Sequence, residues 1–217
     1  MNVLALVAHS DDEVIGCGGV LAKHAAIGDD VYLIVMADGV SSRENQNQDH
    51  RDQALLQSCD ILGIKLLQQF DFKDNQLDRY PLLELVKSVE KCMGPIQFNT
   101  VYTHSKKDLN IDHRIVHDVA LTLFRPLPEQ TVKSIFAFET LSATHWYDPQ
   151  NVFTPQRFVD IERYWPKKIN AINAYDIEMR EFPHARSRKT ITVLAEFRGS
   201  IAGVNKAEAF EILRMVD

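Results

Sequence analysis

Val3-Leu4-Ala5-Leu6-Val7 is an unbroken apolar run that stops abruptly at Ala8-His9-Ser10-Asp11-Asp12-Glu13. A strand with no polar alternation is buried on both faces, as in a parallel sheet covered by helices. The pattern recurs at Val31 to Ala37, Ile64 to Leu67, Thr100 to Thr103 and Val132 to Phe138. Between these runs, apolar residues recur at helical spacing: Val14, Gly18, Leu21 and Ala25; Leu55, Cys59 and Leu62; Leu82, Val86, Val89 and Met93; Ile115, Val119 and Leu123. Gly28, Gly63 and Gly94-Pro95 act as helix stops. Strands alternating with helices make βαβ units, so the predicted class is α/β: a three-layer sandwich around a mostly parallel, Rossmann-like sheet. Beyond Glu139 the pattern loosens. Phe158 to Ile161 reads as a short strand, Lys167 to Met179 and Thr190 to Arg198 as helical, and Ala209 to Val216 as a last strand. No linker, repeat or low-complexity stretch divides the chain, so residues 1–217 are read as a single domain.

An open α/β sheet binds ligands beyond the carboxyl ends of its strands. His9 and two adjacent carboxylates stand at such an end. Asp108-Leu109-Asn110-Ile111-Asp112-His113 stands beyond the strand ending at Thr103. His9, Asp12 and His113 together would form a His₂-carboxylate site with an open position, the pattern of a catalytic zinc. Asp11 is then left beside it as a base able to activate water. Gly16, Gly18 and Gly19 would let the backbone approach a ligand. Spacing alone also allows a plainer reading, in which Asp11 or Asp12 caps a helix and His113 is solvated. The glycines do not form Gly-x-Gly-x-x-Gly, and His9 occupies the turn a dinucleotide would need, which argues against a nicotinamide cofactor.

His9-Ser10-Asp11-Asp12-Glu13 resembles the His-Pro-Asp-Asp-Glu signature of the LmbE / PIG-L-like zinc-dependent N-deacetylases. Asn110-Ile111-Asp112-His113 resembles that family's second motif, in which a ligating His closes the tetrad. The likeness extends to Phe182-Pro183-His184-Ala185-Arg186-Ser187 and to Arg198-Gly199-Ser200. It implies a Rossmann-like fold and hydrolysis of an acetamido group on a sugar. Zn²⁺ would be held by His9, Asp12 and His113, with Asp11 as general base. Ser10 stands where the family usually has Pro. Asn110 stands where many members have a His proposed to stabilise the oxyanion; Asn donates a hydrogen bond but supplies no proton.

Other residues are assigned around this centre. Asp112 is read as orienting a ligand or the base. Arg43 and Arg51 bracket the loop after the second strand, where a guanidinium suits a phosphate or a sugar hydroxyl. The resemblance gives Arg51 a substrate contact, and His184 sits in a segment the family places at the pocket. His104 is read as loop lining, and Trp146 either stacks on a sugar or packs in the core. Cys17 has no partner histidine fixed by spacing and is not read as a nucleophile.

Composition narrows the setting. Hydrophobic content of 45% with 25% charged residues is that of an ordinary soluble globular protein. No apolar run approaches the roughly 20 residues of a membrane span. Met1-Asn2 leads straight into the first strand without a basic segment, so no signal peptide is read and a cytoplasmic location is expected. Cys17, Cys59 and Cys92 are too widely spaced for a disulfide framework and read as buried small hydrophobes. A net charge of -6 argues against nucleic acid as a partner. The expected partner is a small amino-sugar substrate, with a homo-oligomer allowed. The alternatives are a carbohydrate- or metal-binding protein without turnover, and a deacylase for another N-acyl group such as formyl.

Overall fold

The computed structural model describes residues 1–39, 48–146 and 148–216. β1 (Asn2–Val7) is buried from Val3 onward. Its side chains alternate between two cores, Val3, Ala5 and Val7 on one face and Leu4 and Leu6 on the other. β2 (Asp30–Ala37), β3 (Lys65–Phe72), β4 (Thr100–His104) and β5 (Ser134–Phe138) join β1 in parallel. β6 (Arg157–Asp160) and β7 (Ala207–Met215) complete the sheet antiparallel, in the order β3-β2-β1-β4-β5-β7-β6. The sheet is therefore mostly parallel, as expected.

Helices cover both faces. α1 (Asp12–Ala26), α2 (Gln48–Leu62), α5 (Trp165–Ala174) and α6 (Arg188–Ala202) pack on the Val3 face. α3 (Leu82–Met93) and α4 (Ile111–Leu123) pack on the Leu4 face. Because β1 lies between β2 and β4, the chain turns to opposite sides at β1. The strand ends at such a switch point are where an open α/β sheet places a ligand site. Among the described residues no helix is long and apolar enough to cross a membrane.

Three local features depart from expectation. β3 runs on to Phe72 rather than ending near Leu67, because a sheet edge tolerates Gln68 and Gln69. The Lys167–Met179 stretch divides into α5 and a 3₁₀ turn, Asp176–Glu178. Gly16 and Gly19 of α1 serve close packing. A Cβ on Gly16 would lie 2.1 Å from the Phe138 ring, and one on Gly19 would lie 2.8 Å from Ile161.

α1 also breaks at Cys17, whose φ is −144°. A break frees backbone groups, and two side chains take them up. Lys168 Nζ donates to the Ile15 carbonyl at 2.9 Å. The Glu208 carboxylate accepts from the Gly19 and Val20 amides, each at 2.7 Å, and pairs with Lys168 at 2.6 Å. Burial raises the Cys17 thiol well above its ordinary value, so it is an inert hydrophobe here.

Candidate active site

The ends of β1 and β4, with the helix starts that follow, bring His9, Asp12 and His113 together. His9 Nδ1 lies 3.2 Å from Asp12 Oδ2, His113 Nε2 lies 3.3 Å from Asp12 Oδ2, and the two ring nitrogens are 3.3 Å apart. Ligand bonds of about 2.0–2.1 Å spread at the tetrahedral angle place neighbouring donor atoms about 3.3 Å apart. Three donors at this spacing are what a tetrahedral divalent ion would require of its protein ligands. All three residues are buried.

The surrounding groups point the same way. His9 Nε2, turned away from the triangle, meets Asp74 Oδ1 at 2.9 Å and Asp112 Oδ2 at 3.1 Å. That orientation leaves the Nδ1 lone pair facing Asp12. His113 Nδ1 lies 3.0 Å from Asp108 Oδ2. Burial pulls His9 down, but hydrogen bonds to Asp112, Asp12 and Asp74 outweigh it and hold the ring well above its ordinary value. Burial is likewise outweighed at His113, where Asp12 and Asp108 raise the pKa to about 9. Burial would raise Asp12, but His113 above all holds it well below the usual carboxylate range. Rings drawn toward their charged form beside a carboxylate held low mark a place that favours positive charge.

Asp11 occupies the N-cap position of α1, but its carboxylate does not cap the helix. Its side chain makes no capping bond, and its backbone takes φ +105°. Oδ2 accepts from Arg186 Nη1 at 2.8 Å, while Oδ1 is buried with no partner among the described residues. Burial raises the Asp11 carboxyl, against the pull of Arg186 and with the help of the Asp12 charge. That favours proton uptake at this atom.

The remaining assignments divide. Asp112 lies beside His9, Oδ2 at 3.1 Å from Nε2. Besides His9, its oxygens accept the Asn75 amide at 2.7 Å and the Leu77 amide at 3.0 Å, which ties the loop after β3 to α4. Asn110 is the N-cap of α4. Its Oδ1 accepts from the Asp112 amide at 2.8 Å and its Nδ2 meets Asn75 at 3.3 Å, so the side chain expected to face an oxyanion is engaged elsewhere. Arg51 is 1% exposed. Its guanidinium bonds Glu178 and the Ser10 carbonyl and hydroxyl. His184 is exposed, and its Nδ1 accepts the Arg186 amide at 3.0 Å. Arg43 lies outside the described residues. His104 is not loop lining; it ends β4, buried, stacked on His113 with ring centres 3.9 Å apart. Trp146 is 59% exposed and so not a core residue.

Sequence reasoning missed Asp74, Asp108, Glu178 and Arg186. Asp108 and Arg186 lay inside the quoted motifs without a role. Asp74 and Glu178 come from loops and a 3₁₀ turn with no local signal. The segment 140–144 holds the wall between them. Thr144 Oγ1 donates to Asp108 at 2.9 Å, and Ser142 Oγ accepts from Arg186 Nε at 3.0 Å.

Comparison with known proteins places this geometry. An uncharacterised deacetylase of Escherichia coli (strain K12), YaiS, is 27% identical over 179 residues, which cover 80% of this chain and 90% of that one. The structure of an N,N'-diacetylchitobiose deacetylase from Pyrococcus horikoshii superposes with a TM-score of 0.80 at 22% identity, covering 98% of this chain and 84% of that one. A 4-carboxy-2-hydroxymuconate hydratase from Pseudomonas putida superposes with a TM-score of 0.78 at 22% identity, covering 100% and 98%. Likeness at this level shows the fold alone, and one fold serves different chemistries. The model of the PIG-L family, GlcNAc-PI de-N-acetylase, matches residues 4–124, from β1 to the end of α4, and the chain belongs to that family.

Proposed function

We propose that this chain hydrolyses the N-acetyl amide of an amino sugar or sugar conjugate, with His9, Asp12 and His113 holding a zinc ion and Asp11 acting as general base. As a member of a de-N-acetylase family it is an N-acetyl-sugar deacetylase. One observation carries the residue roles: the donor triangle of 3.2 to 3.3 Å edges lies beside a buried carboxylate oxygen that has no partner. When bound, the metal would polarise the amide carbonyl and lower the pKa of water toward about 7.

The protein's own groups do the rest. Asp11 Oδ1 takes the water proton, since Arg186 occupies Oδ2. The same carboxyl returns that proton to the leaving amine, so no separate acid is required. Asp74 and Asp112 fix the tautomer and plane of His9. The relative that deacetylates diacetylchitobiose supports a β-linked amino sugar as one substrate class.

Acetate release from a panel of acetamido sugars, including N-acetylglucosamine and diacetylchitobiose, is the test. One acetate per free amine formed is the expected result. Formate from N-formyl analogues alone would make the chain a deformylase. A metal-loaded protein that releases neither acid would favour a binding role, and hydration of an unsaturated tricarboxylate would move it toward the hydratase.

A further inference from the structure

The peptide joining Ser10 to Asp11 is gripped on both edges. Its carbonyl accepts from Arg51 Nη2 at 2.9 Å, and its N–H donates to Glu13 Oε2 at 3.0 Å. This peptide leads into Asp11, whose φ, +105°, lies in a region that side-chain-bearing residues rarely adopt. Such a conformation persists only where the surroundings over-determine it. The Asp11 carboxylate is gripped in turn by Arg186.

The two arginines come from distant elements, α2 and the 180–187 segment, and they share one partner. Glu178 Oε1 binds Arg51 Nη1, and Glu178 Oε2 lies 3.7 Å from Arg186 Nη1. Glu178 is 2% exposed. We propose that Glu178 is a positioning residue for Asp11: by holding Arg51 and Arg186 at fixed places it sets the Ser10–Asp11 peptide and keeps Arg186 on Oδ2, leaving Oδ1 open. Its role as positioner of a base rests on the deacetylase reading; its role as a clamp does not.

Charge balance gives the mechanism. With the Glu178 charge removed, Arg51 loses its carboxylate partner, and Arg186 keeps Asp11 at 2.8 Å as its own. Arginine favours bidentate contact with a carboxylate. Arg186 would then take both oxygens and close Oδ1 to water. A role confined to stability would lower the melting temperature and leave turnover of the folded enzyme intact.

Glu178→Gln keeps the shape and removes the charge. The expected result is full metal retention, KM little changed and kcat lowered by about 10²-fold, the scale set by a misplaced catalytic group. Hydrogen exchange read on peptides spanning residues 9–15 should quicken in that segment while global unfolding shifts little. The paired variant Arg51→Met/Glu178→Met replaces a buried ion pair by apolar side chains, a change folds often tolerate. It should fold, quicken the same peptides and stay slow in turnover. Wild-type kcat and unaltered exchange at residues 9–15 in either variant would overturn the proposal. If the wild-type chain releases no acetate from any acetamido sugar, the functional reading fails, and the exchange comparison still decides the clamp.

Discussion

α1 carries a buried charge cluster at each end of its first half, and the two are built on opposite rules. At the break near Cys17 each acid has its own cation. Lys168 pairs with Glu208, and Arg198 grips Glu139 through both oxygens at 2.7 and 2.6 Å. Backbone amides fill the remaining Glu208 positions. At the N-terminus of α1 carboxylates outnumber guanidinium groups. Asp11, Asp12, Glu13, Asp74, Asp108, Asp112 and Glu178 surround three histidines and two arginines. There Asp11 Oδ1 and Asp12 Oδ1 have no partner among the described residues. An unpaired buried polar atom costs about 1–3 kcal/mol. A fold completes such atoms where it can, as it does at the break. Where it leaves them open beside excess negative charge, a cation and a water proton are the missing partners.

Asp12→Ala breaks that comparison hardest. Asp12 Oδ2 is a corner shared by two edges of the donor triangle. The variant is expected to come through dialysis without metal and to show no deacetylation above background. Elemental analysis checks it, and full metal retention would remove Asp12 from the ligand set. Asp11→Asn should follow, with metal retained and turnover reduced by about 10² to 10⁴-fold, the contribution of a positioned base. Steady-state kinetics on the identified sugar decides this, and a kcat within a few-fold of wild type would deny Asp11 the role.

The second cluster predicts a different readout. Glu208→Ala leaves Lys168 and two amides unpaired inside the protein. Breaking a buried pair in this way costs about 3–5 kcal/mol. Chemical denaturation should show that loss, while KM and kcat of the folded fraction stay close to wild type. A collapse of kcat with little loss of stability would mean that the two clusters act as one.

The difference also explains what could be read from the residues alone. His9, Asp12 and His113 follow directly from a strand end or open a helix, so local pattern places them. Arg51 sits on the polar stretch of α2, and helical periodicity cannot flag a charged residue that inserts beneath the Ser10 turn. Glu178 enters the site only because α5 gives way to a 3₁₀ turn, an event of tertiary packing. Glu208 falls just before the strand read at Ala209 to Val216, and nothing local announces the helix break it satisfies. The parallel core up to α4 reads well because strand and helix periods alternate cleanly. After Glu139 short strands pair antiparallel across long separations, and nothing local announces the partner.

The smallest predicted effect is a pH dependence at the paired cluster. Burial would raise the Glu139 carboxyl, but hydrogen bonds from His145 and Arg198 outweigh it and lower its pKa. A carboxylate with a depressed folded pKa stabilises above the unfolded value, about 4.3 for glutamate, and loses that contribution as pH falls through the folded value. The unfolded chain then binds the proton first, so wild-type stability should decline below about pH 5. Glu139→Gln cannot ionise, so it should be less stable than wild type at pH 7 and lose less on acidification. Urea unfolding of both proteins at pH 7, 5 and 4 measures the gap, which should be widest at pH 7 and narrowest at pH 4. A gap independent of pH would mean that the Arg198 pair contributes through shape alone. The fully partnered cluster would then owe its stability to packing, and charge balance would cease to distinguish it from the active site.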